Sequence, residues 1–328
     1  MKKILASVLA ASMAAGALCA CSLNADTNDN NKDNLSIVTT IFPEYDWVME
    51  VLGDNPAGAE VTMLLDNGVD LHSFQPTAED IMTIADCDLF IYVGGESDEW
   101  VEDALAESVN EDMVVINLLE VLGDSVVEEE IVEGMEAEEE EEAEEGEEEP
   151  EYDEHVWLSL RKAAVIVDAI RNALITVDPA NEAVYNDNAS SYIDELNALD
   201  AEYIDVVDNA SCGTLLFGDR FPFRYMTDDY GLNYYAAFVG CSAETEASFE
   251  TVMFLAGKVD ELSLHTIMTI EGTDHSIAET IAENSNVPDI QILTLDSMQS
   301  TTSSDAASGT TYLSVMRDNL DVLREALS

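Results

Sequence analysis

The stretch Asp88-Leu89-Phe90-Ile91-Tyr92-Val93-Gly94-Gly95 is an apolar run of strand length that ends at two glycines. It predicts a β-strand over Asp88–Val93. On its N-terminal side, Thr77 and Asp80 form an N-cap pair that predicts a helix running to Ala85. On its C-terminal side, Asp98–Ser108 has the pattern of a second helix. A strand between two helices indicates parallel βαβ connections.

The same alternation of strand and helix continues toward both ends of the chain. Further strands are predicted at Ser36–Ile41, Glu60–Leu65, Val114–Asn117, Thr214–Phe217, Asn233–Phe238, Thr266–Ile270 and Ile290–Leu295. A long helical stretch, Pro179–Asp208, lies between the two groups of strands and begins with the favourable N-cap and N1 pair Asp178-Pro179. We therefore predict an α/β fold of two similar lobes, 35–178 and 211–328, joined by a linker helix over 179–210.

The first residues have the features of a bacterial export signal. Lys2 and Lys3 precede an apolar segment, Ile4–Leu18, which is too short for a membrane span. Leu18-Cys19-Ala20-Cys21 is similar to a lipobox, and we expect cleavage before Cys21 and lipidation of that cysteine. Residues 1–21 are thus the predicted signal peptide and lipobox, and the polar segment 22–34 is a predicted disordered tether. Ordinary secretion is the alternative.

The charge of the chain is extremely negative. Its 70 acidic and 11 basic residues give a net charge of −59, which repels nucleic acid and attracts cations. Part of the excess lies in 128–154, a segment of nearly continuous glutamate that we expect to form a disordered loop in the N-terminal lobe. Two interpretations stay open: the loop is ordinary solvated chain, or it collects cations near a binding site.

Three cysteines remain after the signal segment: Cys87, Cys212 and Cys241. The chain has no CxxC pair, so a thiolate zinc site is not expected. A disulfide between Cys212 and Cys241 would be compatible with an oxidising compartment, and the sequence leaves this question open.

Ligand-type side chains follow several predicted strands. Because ligands bind outside the carboxyl ends of parallel strands, residues there are candidates for one shared site. The set includes His72, Asp219, Arg220, Glu271 and Asp296, with His155 at the end of the acidic loop. Imidazole and carboxylate are suitable ligands for zinc, and manganese accepts more carboxylate. By contrast, His265 precedes its strand and is interpreted as structural.

These features together resemble the cluster A-I solute-binding proteins of zinc and manganese ABC importers. The resemblance extends from about Ser36 to the C-terminus, apart from the acidic loop. It is carried by Ile37-Val38-Thr39-Thr40-Ile41-Phe42-Pro43, Leu71-His72-Ser73-Phe74-Gln75-Pro76-Thr77, Asp80-Ile81, Ala85-Asp86-Cys87-Asp88-Leu89, Asp98-Glu99-Trp100-Val101, Asp153-Glu154-His155-Val156-Trp157-Leu158, Asp229-Tyr230-Gly231-Leu232, Ile277-Ala278-Glu279-Thr280-Ile281 and Thr294-Leu295-Asp296-Ser297.

The resemblance implies two lobes with parallel four-stranded sheets, bridged by a rigid helix, with the metal held between them. It assigns two histidine ligands to His72 and His155 and a carboxylate ligand to Asp296. The family's third ligand, usually His or Glu, falls on Arg220, which cannot bind a metal. The neighbouring Asp219 could replace it if the loop shifts by one residue. Glu271, Arg220 and Arg224 are expected to surround the ligands without binding the metal themselves.

The implied protein is a lipid-anchored, monomeric component on the outer face of the bacterial cell membrane. It would bind Zn²⁺, or otherwise Mn²⁺, as cargo and deliver it to the ABC permease without catalysis. Arg220 and Arg224 either form salt bridges that neutralise carboxylates of the cleft, or, in a second interpretation that keeps the transport role, hold an anionic or chelated-metal cargo. A metallohydrolase with Glu271 as base has no HExxH signature to support it, and a calcium-buffering adhesin would rely on the glutamate run.

Overall fold

A computed structural model of the chain describes residues 34–136, 151–242, 246–272 and 274–328. The expected signal peptide, the lipidation site Cys21 and tether residues 22–33 lie outside the described residues, as does 137–150 of the acidic run. In the described part of the chain, no helix is both long enough and apolar enough to cross a membrane.

The first sheet is built from four short parallel strands with an apolar centre. These are β1 (Ser36–Thr39), β2 (Glu60–Met63), β3 (Leu89–Tyr92) and β4 (Val114–Asn117), in the order β2-β1-β3-β4. The helices of this lobe are α1 (Phe42–Leu52), α2 (Ala78–Asp86), α3 (Trp100–Ala106) and α4 (Leu118–Leu122). The expected capping pair is present, since Thr77 and Asp80 bond reciprocally at the start of α2.

Two long helices follow: α5 (Leu160–Val177) and α6 (Glu182–Asp208). Helix α6 has 27 residues and is therefore about 40 Å long. Its buried side chains recur every three or four residues and form one face: Tyr185, Ala189, Tyr192, Leu196, Leu199 and Tyr203. This face packs against α1, α5 and a later helix, α11 (Tyr312–Ala326). Because α6 packs against α1 of the first lobe and α11 of the second, it joins the two lobes.

The second sheet repeats the topology of the first. Its strands are β5 (Thr214–Phe221), β6 (Asn233–Val239), β7 (Thr266–Ile270) and β8 (Gln291–Leu295), all parallel and in the order β6-β5-β7-β8. Its remaining helices are α7 (Arg224–Tyr230), α8 (Phe249–Leu262), α9 (Ser276–Asn284) and α10 (Ser303–Ala307). The predicted fold class, two similar α/β lobes with four-stranded parallel sheets and a long connecting helix, is confirmed.

Several predicted boundaries were wrong, among them the following three. Strand β5 runs to Phe221 instead of Phe217, because its register against β6 shifts after Phe217 and pairing then resumes at Arg220. Asp219 and Arg220 therefore lie inside a strand and do not follow it. Helix α6 starts at Glu182, since Pro179–Asn181 forms a separate 3₁₀ turn. The last predicted helix, Gly309–Leu327, begins at Tyr312, and α10 before it was not predicted.

Buried hydrogen bonds tie distant parts of the chain together. The Trp157 indole N–H donates to the Ser297 carbonyl (2.8 Å), and the Tyr312 hydroxyl donates to the Trp157 carbonyl (2.7 Å). The Tyr312 amide donates to the carboxylate of Asp46 in α1 (2.9 Å). These contacts connect α1 and the turn at Trp157 in the first lobe to the loop after Leu295 and the last helix in the second.

Asp46 should make the stability of the protein depend on pH. Burial raises the pKa of Asp46 from 3.8 to about 7. The folded state therefore binds an extra proton between these values, and the free energy of unfolding falls as the pH rises from about 4 to 7. Asp46→Asn keeps an acceptor for Tyr312 and removes this dependence. Urea unfolding should show the variant gaining roughly 2–4 kcal/mol relative to wild type between pH 4.5 and 7.5.

The exposed Asp54 provides the matched control. Asp54→Asn should track the wild type across the same pH range. A constant difference between Asp46→Asn and wild type would contradict the assignment of the pH dependence to Asp46.

Candidate metal centre

His72 lies in a 3₁₀ turn, Leu71–Ser73, that follows β2. The side chain of Asp70 caps this turn by accepting from the His72 amide (3.0 Å). The ring Nδ1 of His72 is 2.8 Å from the Ser97 hydroxyl and 3.3 Å from Glu154 Oε2. Because a carboxylate acceptor lies next to Nδ1, the ring can carry its proton there and leave the lone pair of Nε2 directed away from Glu154.

His155 is fully buried at the start of the 3₁₀ turn Val156–Leu158. Asp153 Oδ1 accepts from the His155 amide (2.9 Å) and lies 3.1 Å from its ring Nδ1. The carbonyl of Asp153 is itself held by the Tyr225 hydroxyl of α7 (2.7 Å). A carboxylate on the far nitrogen of an imidazole is the usual arrangement behind a metal-binding histidine, because it fixes the orientation and tautomer of the ring.

The two imidazoles meet at their free nitrogens. Nε2 of His72 and Nε2 of His155 are 3.1 Å apart, although the residues are 83 positions apart in the chain. A ring nitrogen of each histidine and Cys241 Sγ all lie within 4.8 Å of one another. Within the described ranges, this is the group of potential ligands that comes close enough to share one ion.

Two glycines allow this close approach. A Cβ at Gly240 would lie 2.7 Å from Cε1 of His155, and a Cβ at Gly95 would lie 2.3 Å from Glu154 Oε1. Both distances are shorter than carbon contacts tolerate, and Gly95 also has a φ of +85°. The end of β6 and the turn after β3 can therefore pack directly against the histidine cluster.

Nearby carboxylates make the cluster electronegative. Burial alone would lower the pKa of His155, but Asp153, Glu154 and Asp70 outweigh it and raise that pKa above its usual value. Burial would likewise raise the pKa of Glu154, but the hydrogen bond and charge of His72 and the bonds from Ser97 lower it. A site that stabilises positive charge in this way also favours a bound cation.

The other predicted ligands lie at different places. Asp219 accepts hydrogen bonds from the backbone amides of Arg220 (2.9 Å) and Ile270 (3.2 Å). Asp296 follows β8 and accepts from the Met298 amide (2.7 Å), while burial and the charge of Glu271 raise its pKa. Neither carboxylate belongs to the group around the two histidines. Their role as ligands stays a prediction.

Glu271 has a structural position next to Asp296. It accepts from the amide and hydroxyl of Ser297 (2.7 Å each) and from the Gln299 amide (3.1 Å). The carboxylate thus holds the loop after β8 in place.

Sequence analysis did not select Cys241 as a candidate ligand. It follows β6, so the rule on strand ends could have selected it, but the missing CxxC spacing argued against a thiolate ligand. Cys87, Cys212 and Cys241 are all free, so the Cys212–Cys241 disulfide that the sequence left open is not formed. Glu129, near the start of the acidic run, lies beside Cys241 and accepts from its amide at 3.4 Å.

Comparison with known proteins identifies the family. The sequence model of the ZnuA family, described as zinc-uptake complex component A, periplasmic, matches residues 37–326. The chain belongs to this family. It is 32% identical to the zinc-binding lipoprotein AdcA of Streptococcus pneumoniae over 99% of its own length, but it spans only 61% of that relative. It is 29% identical to the high-affinity zinc uptake system protein ZnuA of Bacillus subtilis, with 98% and 96% of the two chains covered.

Solved structures agree with this assignment. The Zn(II)-bound ZnuA-like domain of S. pneumoniae AdcA superposes with a TM-score of 0.69 at 28% identity, covering 90% of this chain and 99% of that domain. The metal-dependent lipoprotein YcdH of B. subtilis gives a TM-score of 0.72 at 26% identity, with 90% and 100% covered.

In this member of the ZnuA family, Arg220 and Arg224 are paired with carboxylates. Arg220 Nη2 is 2.7 Å from Asp70 Oδ2, and Nη1 donates to the Ser242 carbonyl (3.2 Å). Arg224 contacts Glu130 (2.5 Å) and Asp228 (3.2 Å). The Arg220–Asp70 pair lines a cleft of about 510 Å³ and connects the first lobe to the second. These contacts favour a role in charge neutralisation.

The Arg220–Asp70 pair is expected to stabilise the contact between the lobes. In a double-mutant cycle of Asp70→Asn and Arg220→Gln, urea unfolding should give a coupling energy of about 1 kcal/mol, because both side chains are largely buried. The exposed Arg317–Glu195 pair, at 3.9 Å, is the matched control and should give a coupling near zero. Equal coupling in both pairs would contradict a specific role for Arg220.

Proposed function

We propose that this chain is the extracytoplasmic solute-binding component of a zinc ABC importer, which captures Zn²⁺ between its lobes and delivers it to a membrane permease. The observation that carries the proposal is the pair of imidazole nitrogens 3.1 Å apart, each backed by a carboxylate on its other nitrogen. Relatives described as zinc-binding and zinc-uptake proteins support zinc as cargo. Manganese is the second candidate.

The proposed mechanism is capture without chemical conversion. His72 and His155 supply neutral imidazole donors from two distant segments of the first lobe, and a carboxylate from the second lobe, Asp296 or Asp219, completes the coordination. Protons compete for the same nitrogens, so capture requires deprotonated rings. A ligand set drawn from both lobes would couple metal binding to their closure, which suits delivery to a permease.

The remaining parts of the proposal concern location and partners. A lipid on Cys21 would keep the monomeric protein beside its permease, and relatives named as lipoproteins support this. The acidic run would raise the local concentration of cations near the site, because its first residues reach the cluster through Glu129.

The histidine pair should be necessary for tight zinc binding. The wild-type protein, purified without its lipid anchor, should retain one zinc ion in native mass spectrometry with elemental analysis. His72→Ala or His155→Ala should lose it, because each variant removes one of the converging nitrogens. The exposed His265 is the matched control, and His265→Ala should keep one zinc.

The same measurement distinguishes the cargoes. Arg220→Gln should retain the metal ion if the cargo is zinc itself. Loss of cargo only in Arg220→Gln, with zinc binding unchanged in both histidine variants, would contradict the proposal and favour an anionic or chelated cargo.

Glu154 should strengthen zinc binding without contacting the ion. Glu154→Gln weakens the acceptor behind Nδ1 of His72, and zinc affinity in a competition assay with a chelator should fall about 10–100-fold. Glu151→Gln, an exposed change three residues earlier, is the control and should have no effect. An unchanged affinity in Glu154→Gln would show that the carboxylate does not orient the ligand.

A further inference from the structure

Cys241 lies at a point where the structure holds the backbone from several sides. It follows Gly240, which packs against the His155 ring, and precedes Ser242, whose carbonyl accepts from Arg220. The Cys241 amide is 3.4 Å from Glu129. The thiol therefore stands on a turn fixed by three separate contacts and not on a free loop.

The sulfur atom completes a compact set of three ligand atoms. Sγ and one nitrogen of each histidine lie within 4.8 Å of one another, a spacing at which one ion can contact all three after small side-chain rotations. Zinc sites that combine imidazole nitrogens with cysteine sulfur in a tetrahedral arrangement are common. Two histidines and one cysteine leave a fourth position for a carboxylate or water.

The other candidates for the third ligand are less well placed. Arg220 has no lone pair to offer and is paired with Asp70. Asp219 bonds to backbone amides, and neither it nor Asp296 belongs to the ligand group. From this arrangement we propose that Cys241 is a ligand of the captured ion, together with His72 and His155. The inference rests on the proposed function and specifies the ligands of the same site.

The proposal has a consequence for the choice of metal. Thiolate sulfur is a soft ligand that favours zinc, whereas manganese prefers carboxylate and water oxygens. An unbound cysteine side chain is a neutral thiol near neutral pH, because a free thiol has a pKa of about 8.5. Binding of Zn²⁺ forms a Zn–S bond and releases the thiol proton to solvent. The site should thus select zinc against manganese.

X-ray absorption spectroscopy at the zinc edge tests the assignment on the full chain without its lipid, loaded with one zinc ion in reducing buffer. The wild-type spectrum should require one sulfur at about 2.3 Å beside nitrogen or oxygen at about 2.0–2.2 Å. Cys241→Ser should lose the sulfur contribution and bind zinc at least about tenfold more weakly, with reduced preference over manganese. The half-buried free thiol of Cys212 provides the control, and Cys212→Ser should match the wild type.

The outcomes separate this inference from the proposed function. One zinc bound by wild type with nitrogen and oxygen ligands alone would overturn the role of Cys241 and leave the importer function standing. Failure of both wild type and Cys212→Ser to bind zinc would overturn the importer function, and this assignment with it. Circular dichroism, together with Cys241→Ala as a second variant, shows that a lost sulfur signal does not come from misfolding.

Discussion

Two imidazole nitrogens 3.1 Å apart cannot both direct lone pairs at each other unless a proton or a metal ion lies between them. This constraint explains much of the surrounding structure. Asp153 and Glu154 hold the outer nitrogens, so each ring has one orientation available. Gly95 and Gly240 remove the side chains that would separate the rings from their supports. Since the orientation of both rings is fixed before any ion arrives, little conformational entropy is lost when an ion binds.

The fold places this pair between two repeats of one topology. Each sheet has the strand order second, first, third, fourth, and the carboxyl ends of its strands supply the groups around the cleft. The buried face of α6 contacts helices from both lobes. The buried Trp157–Ser297 and Asp46–Tyr312 hydrogen bonds also connect the two lobes. The two histidines of the first lobe and the turns of the second lobe therefore meet on a continuous, buried framework.

The sequence predicted those parts of the protein that depend on local pattern. Alternating strands and helices gave the fold class, and the segments around His72 and Trp157 pointed to the histidine pair. Prediction of the end of β5 was wrong because tertiary contacts decide it: the register shift that extends the strand to Phe221 depends on pairing with β6. Local pattern also could not select Cys241, because the two imidazoles near its sulfur come from residues far away in the chain. A single cysteine becomes a candidate ligand only once the fold brings it to two imidazoles.

The family resemblance places the third ligand at Arg220, which cannot bind a metal. Arg220 on β5 pairs with Phe238 on the neighbouring strand β6, and Cys241 lies three residues after Phe238. If Cys241 is a ligand, as we propose, the adjacent strand supplies what Arg220 cannot, without a change in the sheet. The arginine pairs with Asp70 and offsets its negative charge in an acidic cleft. Burial would raise the pKa of that carboxyl, but the charges of His72 and Arg220 lower it. A thiolate carries a negative charge that a neutral histidine lacks. With zinc bound, the Cys241 thiolate would therefore offset the positive charge that Arg220 brings to the site, so that the arginine and the cysteine compensate each other.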